Sequence, residues 1–439
     1  MSNYKTPGVY IEEISFFPPS VAQVETAIPA FIGYTEKGPE DPTRISSMID
    51  FKTYFGGPKN EIGKFGIDGG EVKPITIPAT PDYKFYYMLE MFFANGGGDC
   101  YIISVGNYDD PISDTDMKEG LAKLNKEDVP TLVLFPDADK LGDKIYGLYG
   151  DALIQCADRK DRFLICDVKQ SDDLIDPVGE SASEFRGKLD AEIRKFGAAY
   201  FPYLKTTLNY QYQDGEIEIE GGGTLDALYK TDNKNYHAIK NKIESVRLVL
   251  PPSAAIAGVY ARVDSAKGVW KAPANVSLHR VSTPNLLITH NEQEDLNAPK
   301  GGEAINAIRN FKGKGVMVWG ARTLDANSNE WRYVSVRRFF NMVEESVKNA
   351  AERFLFEPND ANTWVKVKAM TENYLTTLWR DGALMGAKPD DAFFVRVGLN
   401  ETMTEAEINE GLLVVEIGLA AVRPAEFIIL RFSHKMMKS

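Results

Sequence analysis

The chain has 439 residues, 44% of them apolar, which is enough for packed cores in two or three domains. Its formal net charge of −13, from 50 basic and 63 acidic side chains, excludes a general nucleic-acid binder, which needs a basic surface. The sequence starts without the features of a signal peptide, and no apolar run approaches the roughly 20 residues that cross a bilayer. We therefore expect a globular protein, made and folded in the cytosol, without direct membrane insertion.

The first 24 residues predict an extended arm. Residues 4–14 alternate like a strand, with Val9 and Ile11 on one face and Tyr10 on the other. The Phe-Phe-Pro-Pro section at 16–19 excludes a regular helix, because proline removes a backbone donor and favours extended geometry before it. A lone strand of this kind has to pair with a sheet elsewhere, in its own subunit or in a neighbour.

The middle of the chain predicts an α/β fold. Continuous apolar runs at 100–105, 131–136 and 162–168 are separated by helical patterns at about 115–126 and 145–159, which is typical of parallel strands joined by helices. We also predict a helix that starts at Asp82 and stops at Gly96, and a helix over about 253–266 whose small residues allow close approach to another backbone. Less regular patterns predict a helix over 181–196, a strand over 198–205 and an exposed hairpin strand over 216–220.

Residues 313–356 predict a β-hairpin followed directly by a long amphipathic helix. The run 315–323 is rich in β-branched and aromatic residues, a turn follows, and 331–336 alternates. A helix over about 302–311 is expected to lead into this hairpin. The long helix carries one apolar stripe, made of Phe340, Val343, Val347, Ala351 and Phe354. That stripe can cover only one face of the hairpin, so we expect another element to cover the second.

The last part of the chain predicts a small α+β arrangement and a second arm. Asp360 is placed to cap a helix that ends at Gly382, and residues 404–407 fit a capping box. Strands are expected at 393–397 and 412–419. Residues 426–433 then form a second lone β-rich segment behind Arg423-Pro424.

The sequence gives little support for any known catalytic or ligand-binding motif. The histidines, His237, His279, His290 and His434, have no metal-ligand spacing, and residues 57–64 have the wrong glycine spacing for a phosphate loop. No GxSxG elbow occurs, and no GxGxxG follows a strand. The cysteines, Cys100, Cys156 and Cys166, lie in or beside apolar segments and are expected to be reduced core residues. We predict no catalytic residues, no cofactor and no metal.

Several segments together carry a family resemblance. PGVYIEE at 7–13, IPAFIGYTEKGP at 28–39, LPPSAAIAGVYARVDSAKGVWKAPAN at 250–275 and VWGARTL at 318–324 resemble, in the expected order, the tail sheath proteins of contractile phages and of phage-derived contractile injection systems. The family is described as having a subtilisin-like domain, but a Ser/His/Asp triad needs an oriented histidine, and none falls between residues 1 and 236, where the α/β layer is built.

The resemblance implies a mixed α/β and α+β protein with this domain order: an N-terminal strand-exchange arm at 1–24, an outer α/β domain of subtilisin-like topology at 25–280, an inner α+β core domain facing the tube at 281–420, and a C-terminal strand-exchange arm at 421–439. It also implies a subunit of stacked hexameric rings around an inner tube, whose contraction drives the tube through a target envelope. The implied partners are further copies of the chain, the inner tube protein, baseplate and terminal cap proteins, and sheath paralogues. The particle is assembled from protein made in the bacterial cytoplasm.

The resemblance assigns three groups of residues to assembly. The arms donate strands through Val9, Tyr10, Ile11, Phe427, Ile428, Ile429 and Leu430. The expected acceptor hairpin contains Val316, Val318, Trp319, Tyr333, Val334 and Val336. The candidates to face the tube are Lys300, Arg309, Lys312 and Lys314, for which a solvated helix end is the alternative interpretation.

Two other functions stay open from the sequence. One is the tail sheath of an infectious contractile-tailed bacteriophage, although the moderate length without a large insertion favours an injection system. The other is an α/β enzyme that has only the topology in common with sheath proteins, because fold alone does not determine function.

Overall fold

The computed structural model describes residues 20–73, 77–427 and 429. Within these ranges the chain forms two compact units. The α/β unit comprises residues 25–344 and the described residues after 422, and the C-terminal unit comprises residues 20–24 and 345–422. The division falls inside one long helix, between Glu344 and Glu345.

The secondary structure alternates strands and helices through most of the chain. The strands are β1 (Pro29–Gly33), β2 (Thr43–Ile45), β3 (Ile67–Asp68), β4 (Glu71–Val72), β5 (Cys100–Ser104), β6 (Leu132–Leu134), β7 (Phe163–Asp167), β8 (Gly197–Phe201), β9 (Leu204–Thr206), β10 (Val249–Leu250), β11 (Val276–Ser277), β12 (Val281–Pro284), β13 (Ile305–Phe311), β14 (Gly315–Val318), β15 (Phe393–Arg396) and β16 (Glu416–Leu419). The helices are α1 (Met48–Phe55), α2 (Phe85–Ala94), α3 (Asp114–Leu124), α4 (Lys144–Arg159), α5 (Pro177–Phe185), α6 (Leu225–Thr231), α7 (Asn233–Ser245), α8 (Ser253–Lys267), α9 (His290–Asn297), α10 (Val334–Ala351), α11 (Ala361–Arg380), α12 (Pro389–Ala392) and α13 (Glu405–Asn409).

A nine-stranded sheet of order β11-β14-β13-β8-β7-β6-β1-β5-β2 forms the centre of the α/β unit. The six strands from β13 to β5 are mutually parallel, whereas β2 pairs antiparallel with β5 at one edge and β14 pairs antiparallel with β13 toward the other. The edge strand β11 pairs antiparallel with β14 and so runs in the direction of the six. Strands β5, β6, β7 and β8 are buried at every position, as expected for parallel strands covered on both faces. The predicted α/β core is confirmed.

The sheet separates two hydrophobic clusters, because successive strand side chains point to opposite faces. Phe31 belongs to one cluster, together with the buried faces of α2 and α8. Ala30 and Ile32 belong to the other, which also contains buried residues of α3, α4 and α5. Cys100, Cys156 and Cys166 are all buried in these clusters, so the prediction that they are core residues is confirmed.

The close approach predicted for the helix over 253–266 is confirmed at Gly258. A Cβ atom built there would lie 2.4 Å from the carbonyl oxygen of Phe92 in α2. The absence of a side chain therefore lets α8 pack directly on the backbone of α2.

Of the predicted hairpin between 315–323 and 331–336, the structure contains only an isolated antiparallel bridge between Arg322 and Tyr333. Strand β14 pairs with β13 on one side and β11 on the other, and residues 334–336 form the first turn of α10. The predicted helix over 302–311 is wrong, because those residues form β13. Ile305, Ala307 and Ile308 are buried on both faces of the sheet, and this parallel pairing with β8 overrides the local helical pattern.

Four other predictions differ from the structure in extent or type. The helix over 181–196 ends at Phe185, and Gly187, with φ 77°, lies just beyond it in a left-handed conformation. The segment 216–220 forms only isolated bridges, such as Glu218 with Thr224, in place of a hairpin strand. The strand predicted over 412–419 begins only at Glu416, and that over 198–205 is split into β8 and β9.

The C-terminal unit agrees more closely with expectation. The side chain of Asp360 accepts hydrogen bonds from the amides of Asn362 and Thr363 at the start of α11, and Thr404 and Glu407 form the predicted capping box of α13. Strands β15 and β16 form an antiparallel two-stranded sheet that is separate from the large one. No helix in the described ranges is long and apolar enough to span a membrane.

Candidate assembly surfaces

The β15–β16 sheet has two unpaired edges among the described residues. Its register pairs Phe394 with Gly418 and Arg396 with Glu416. The amide of Ala420 donates to the carbonyl oxygen of Ala392 at 2.8 Å, so Ala420 directs its backbone polar groups toward β15. The direction of the backbone N–H and C=O groups alternates from one residue to the next along an antiparallel strand. Ile417 and Leu419 therefore direct these groups away from β15. Such an edge can accept a further strand.

One face of this sheet is half-exposed. The Phe394 side chain lies over Gly418, where a Cβ atom would clash with its ring, and the Arg396 guanidinium lies 4.6 Å from the same ring. Arg396 also pairs with Glu416 at 3.5 Å. Two-stranded sheets are marginally stable alone, so added strands would stabilise this one. The sequence predicted strands in both places. It nevertheless favoured 315–336 as the acceptor of the arms, because that stretch is more apolar.

The residues expected to form an acceptor hairpin lie in three different settings. Val316 and Val318 are buried in β14, whose partners on its two sides leave no free edge at Met317 and Val318. Trp319 follows that strand and packs its ring 4.3 Å from the ring of Phe311. Tyr333 makes an isolated bridge with Arg322, while Val334 and Val336 are buried residues of α10.

Three of the four candidate tube-facing residues lie near the end of the β13–β14 hairpin, where the sequence predicted a helix for Arg309 and a turn for Lys312 and Lys314. Lys312 and Lys314 are exposed in its turn, and Arg309 on β13 donates to Gln293 at 2.6 Å. Lys300 is exposed in the segment between α9 and β13. The hairpin turn therefore presents two exposed positive charges that have no ion-pair partner among residues 20–73, 77–427 and 429.

In the described part of the C-terminal arm, Glu426 is held by hydrogen bonds, and the residues that follow it are exposed. Glu426 bonds to Arg322, whereas Phe427 and Ile429 are 75% and 77% exposed. The other predicted arm residues, Val9, Tyr10, Ile11, Ile428 and Leu430, lie outside the described residues.

The carboxyl edge of the parallel sheet, where α/β enzymes bind ligands, is filled by internal hydrogen bonds. Asp137, just after β6, accepts from the amides of Tyr34 and Lys84 at 3.1 and 2.6 Å. Asp167, at the end of β7, accepts from the amide of Ser253 at 2.7 Å and from its hydroxyl at 2.5 Å. The two carboxylates thus cap the amino ends of α2 and α8.

Burial is the main cause of the shifted pKa values of Asp137 and Asp167. It raises the pKa of Asp137 to about 6 and that of Asp167 to about 7, although the hydrogen bonds oppose the shift. The buried Lys84 ammonium pairs with Asp139 at 2.8 Å. The described histidines, His237, His279 and His290, are all exposed, so none adjoins the buried Asp167–Ser253 pair. This arrangement stabilises the unit and lacks the base of a serine hydrolase.

Comparisons with known proteins show similarity to structural proteins. Residues 144–324 match the phage tail sheath protein central domain, and residues 326–435 match the phage tail sheath C-terminal domain. The chain is also 32% identical to a chain in the cryo-EM structure of an extracellular contractile injection system, the PVC sheath complex in its contracted state. That similarity covers 99% of both chains with a TM-score of 0.70. The chain belongs to the tail sheath protein family.

Other relatives come from injection particles and from phages. The sheath protein is 32% identical to a chain in the helical sheath of the anti-feeding prophage in its contracted state, with 98% of this chain and 100% of that chain covered and a TM-score of 0.69. It is 26% identical to the tail sheath protein of Enterobacteria phage T4 over 151 residues, and 25% identical to that of Vibrio phage KVP40 over 209 residues. These segments are 34% and 47% of this chain, but only 23% and 30% of the phage proteins. The family is one of structural proteins, not enzymes.

Proposed function

We propose that this sheath protein polymerises as stacked hexameric rings around an inner tube, and that its contraction drives the tube through a target envelope. The observation that carries the proposal is similarity over nearly the whole chain to sheath subunits of contractile injection particles. The edges of β15 and β16, to which no described residue adds a strand, supply a means of joining copies. The proposed partners are other copies, the tube, the baseplate, the terminal cap and sheath paralogues, in a particle assembled from subunits made in the bacterial cytoplasm.

The terminal arms are proposed to add strands to the β15–β16 sheet of neighbouring copies. The N-terminal arm offers Val9, Tyr10 and Ile11, and the C-terminal arm offers Phe427 to Leu430. The proposed outer domain then corresponds to the α/β unit, with subtilisin-like topology, and the proposed inner domain to the C-terminal unit. This replaces 315–336 as the acceptor, because β14 is already paired on both sides while β16 has an unpaired edge.

Side-chain burial has to supplement main-chain pairing in this exchange. One hydrogen bond contributes about 0.5–1.5 kcal/mol net. Ordering about ten residues of an arm costs on the order of 10–20 kcal/mol of backbone entropy. Burial of Val9, Ile11, Phe427 and Ile429 against the acceptor sheet is therefore needed to make the exchange favourable.

Contraction is proposed to release energy stored at assembly, without a nucleotide. The linkers at 16–20 and 421–424 act as hinges, so that the lattice shortens and twists while strand-exchanged copies stay joined. The extended sheath is a kinetically trapped state, and contraction increases the contacts between neighbouring α/β units. Purified particles should contract fully on a chemical trigger in nucleotide-free buffer, and a strict requirement for ATP would contradict this proposal.

Deleting residues 2–14 tests strand exchange. We expect the full-length protein to form long hollow cylinders by negative-stain imaging and sedimentation, and the truncated protein to remain monomeric because it lacks the donated strand. Far-UV circular dichroism checks that the truncated protein still folds. Monomers from both proteins would remove the assembly proposal.

Lys312 and Lys314 test the contact with the tube. Each lysine is expected to contribute only about 0–1 kcal/mol with an acidic tube surface, but the contacts multiply along the polymer. We expect the double charge reversal Lys312→Glu and Lys314→Glu to lower the co-sedimentation of tube with extended sheath, most strongly at low salt. Reversal of the exposed Lys230 and Lys234, in and near α6, is the control. Equal loss of tube in both variants would contradict the assignment of the hairpin turn to the tube.

An injection system is favoured over an infectious phage by the extent of similarity. The chain covers 99% and 100% of two injection-particle sheath chains, but under a third of the T4 and KVP40 sheath proteins. Capsid and terminase genes beside the sheath gene would reverse this preference.

A further inference from the structure

The C-terminal arm is fastened to the α/β unit by one buried arginine. Arg322 has a side chain only 7% exposed, and its Nε donates to Glu426 at 2.9 Å. A second nitrogen, Nη2, donates to the other carboxylate oxygen of Glu426, and the Tyr333 hydroxyl donates to that same oxygen at 3.2 Å. The remaining nitrogen, Nη1, donates to the carbonyl oxygen of Asn297 at 2.9 Å. Glu426 is therefore held by three hydrogen bonds, two of them a bidentate pair.

A second buried arginine holds the chain where the N-terminal arm enters the α/β unit. Arg338, whose side chain is 3% exposed, donates to the carbonyl oxygen of Thr26 at 2.8 Å and pairs with Asp264. The Thr26 hydroxyl donates to the same Asp264 carboxylate at 2.6 Å. The Arg338 guanidinium also lies 4.4 Å from the ring of Tyr260. The carbonyl and the hydroxyl of one residue are thus fixed by a single buried ion pair.

The C-terminal arm changes character directly after its fixed residue. Glu426 is largely covered, but Phe427 and Ile429 are exposed large apolar side chains. Side chains two residues apart lie on the same face of a β-strand, so these two would form one apolar stripe if the segment were bound as a strand. The edges of the β15–β16 sheet, which are unpaired within the described part of the chain, and the half-exposed Phe394 beside them provide apolar and backbone surface that a second copy can offer to such a segment.

We infer that Arg322 and Arg338 are anchoring residues for the two arms: each fixes the base of an arm within its own α/β unit, and another copy of the chain binds the arm residues that precede Ser20 and those that follow Glu426. This inference rests on the proposed strand exchange. A fixed base starts each arm at a defined point and direction, which raises its effective concentration at the acceptor edge. It also makes the base move with the α/β unit, so that rotation of that unit pulls on the neighbouring copies.

Substitution Glu426→Ala tests the C-terminal anchor, with Glu344→Ala as the matched control. Glu344 also pairs with a buried arginine of the α/β unit, Arg337, at 2.9 Å, but it belongs to α10 and not to an arm. Both substitutions remove the carboxylate from a buried guanidinium and should lower the thermal midpoint of the full-length subunit similarly. We expect only Glu426→Ala to raise the critical concentration for cylinder formation, by at least tenfold, and to speed hydrogen exchange at residues 425–427.

The variant Glu426→Gln and the wild-type protein distinguish a failure of the anchoring role from a failure of the proposed function. Glutamine can still accept a hydrogen bond from Arg322, so this variant should assemble at a concentration between those of wild type and Glu426→Ala. Equal critical concentrations for Glu426→Ala and Glu344→Ala, with wild-type cylinders intact, would overturn the anchoring role and leave the proposed function standing. Wild-type protein that forms no cylinders would overturn the proposed function itself.

Discussion

Ile417→Pro is expected to prevent cylinder formation while leaving the isolated subunit folded. The amide of Ile417 points away from β15, so proline there removes no hydrogen bond from the β15–β16 pair. It does remove the donor that a strand on the open edge of β16 needs, and its ring obstructs the approach of that strand. Loss of about 3 kcal/mol per contact would raise the critical concentration roughly 100-fold. Sedimentation across a concentration series measures this change.

Ile417→Ala is the matched control, because it removes most of the apolar side chain but keeps the backbone donor. We expect it to assemble with a much smaller change in critical concentration than Ile417→Pro. Similar thermal midpoints for the two isolated subunits would show that proline does not unfold the C-terminal unit. If Ile417→Pro assembled as readily as Ile417→Ala, the outer edge of β16 would not be an acceptor, and the arms would have to bind elsewhere.

The sequence predicted the parts of the fold whose signals are local. Strands β5, β6 and β7 are continuous apolar runs bounded by helices, and Asp360 and Thr404 are helix caps recognisable by residue type and spacing. The sequence also predicted that a hydrolase triad is lacking, since no histidine occurs before His237.

The position of the candidate acceptor was not predictable, because it depends on which strand edges remain unpaired. The β-branched residues Val316 and Val318 indicate a strand but not whether its edges are paired. In the structure, β13 and β11 pair with β14 on its two sides. Strand β11 is only two residues long and has no recognisable sequence pattern. Likewise, nothing in the sequence relates Glu426 to Arg322, which lies 104 residues away.

The pH dependence of stability provides a test of the buried carboxylates that is independent of assembly. The pKa of Asp167 is raised from 3.8 to about 7, so the folded protein binds a proton that the unfolded chain has released between about pH 4 and pH 7. Stability therefore falls as the pH rises through this window and levels off about one pH unit above the folded pKa. Between pH 5 and pH 7 the loss attributable to Asp167 is about 2 kcal/mol. Asp137, with a pKa of about 6, adds a smaller loss of the same sign.

Asp167→Asn should remove most of this dependence. The asparagine carbonyl can accept from the Ser253 amide, and its amide group can donate to the Ser253 hydroxyl, so the cap on α8 is retained without a buried charge. Hydrogen exchange of the β7 amides, corrected for intrinsic rates, gives the opening free energy of the α/β unit at each pH. We expect wild type to lose about 2 kcal/mol more than Asp167→Asn between pH 5 and pH 7. Parallel pH profiles for the two proteins would mean that Asp167 is ionised throughout, with its hydrogen bonds from Ser253 outweighing the cost of its burial.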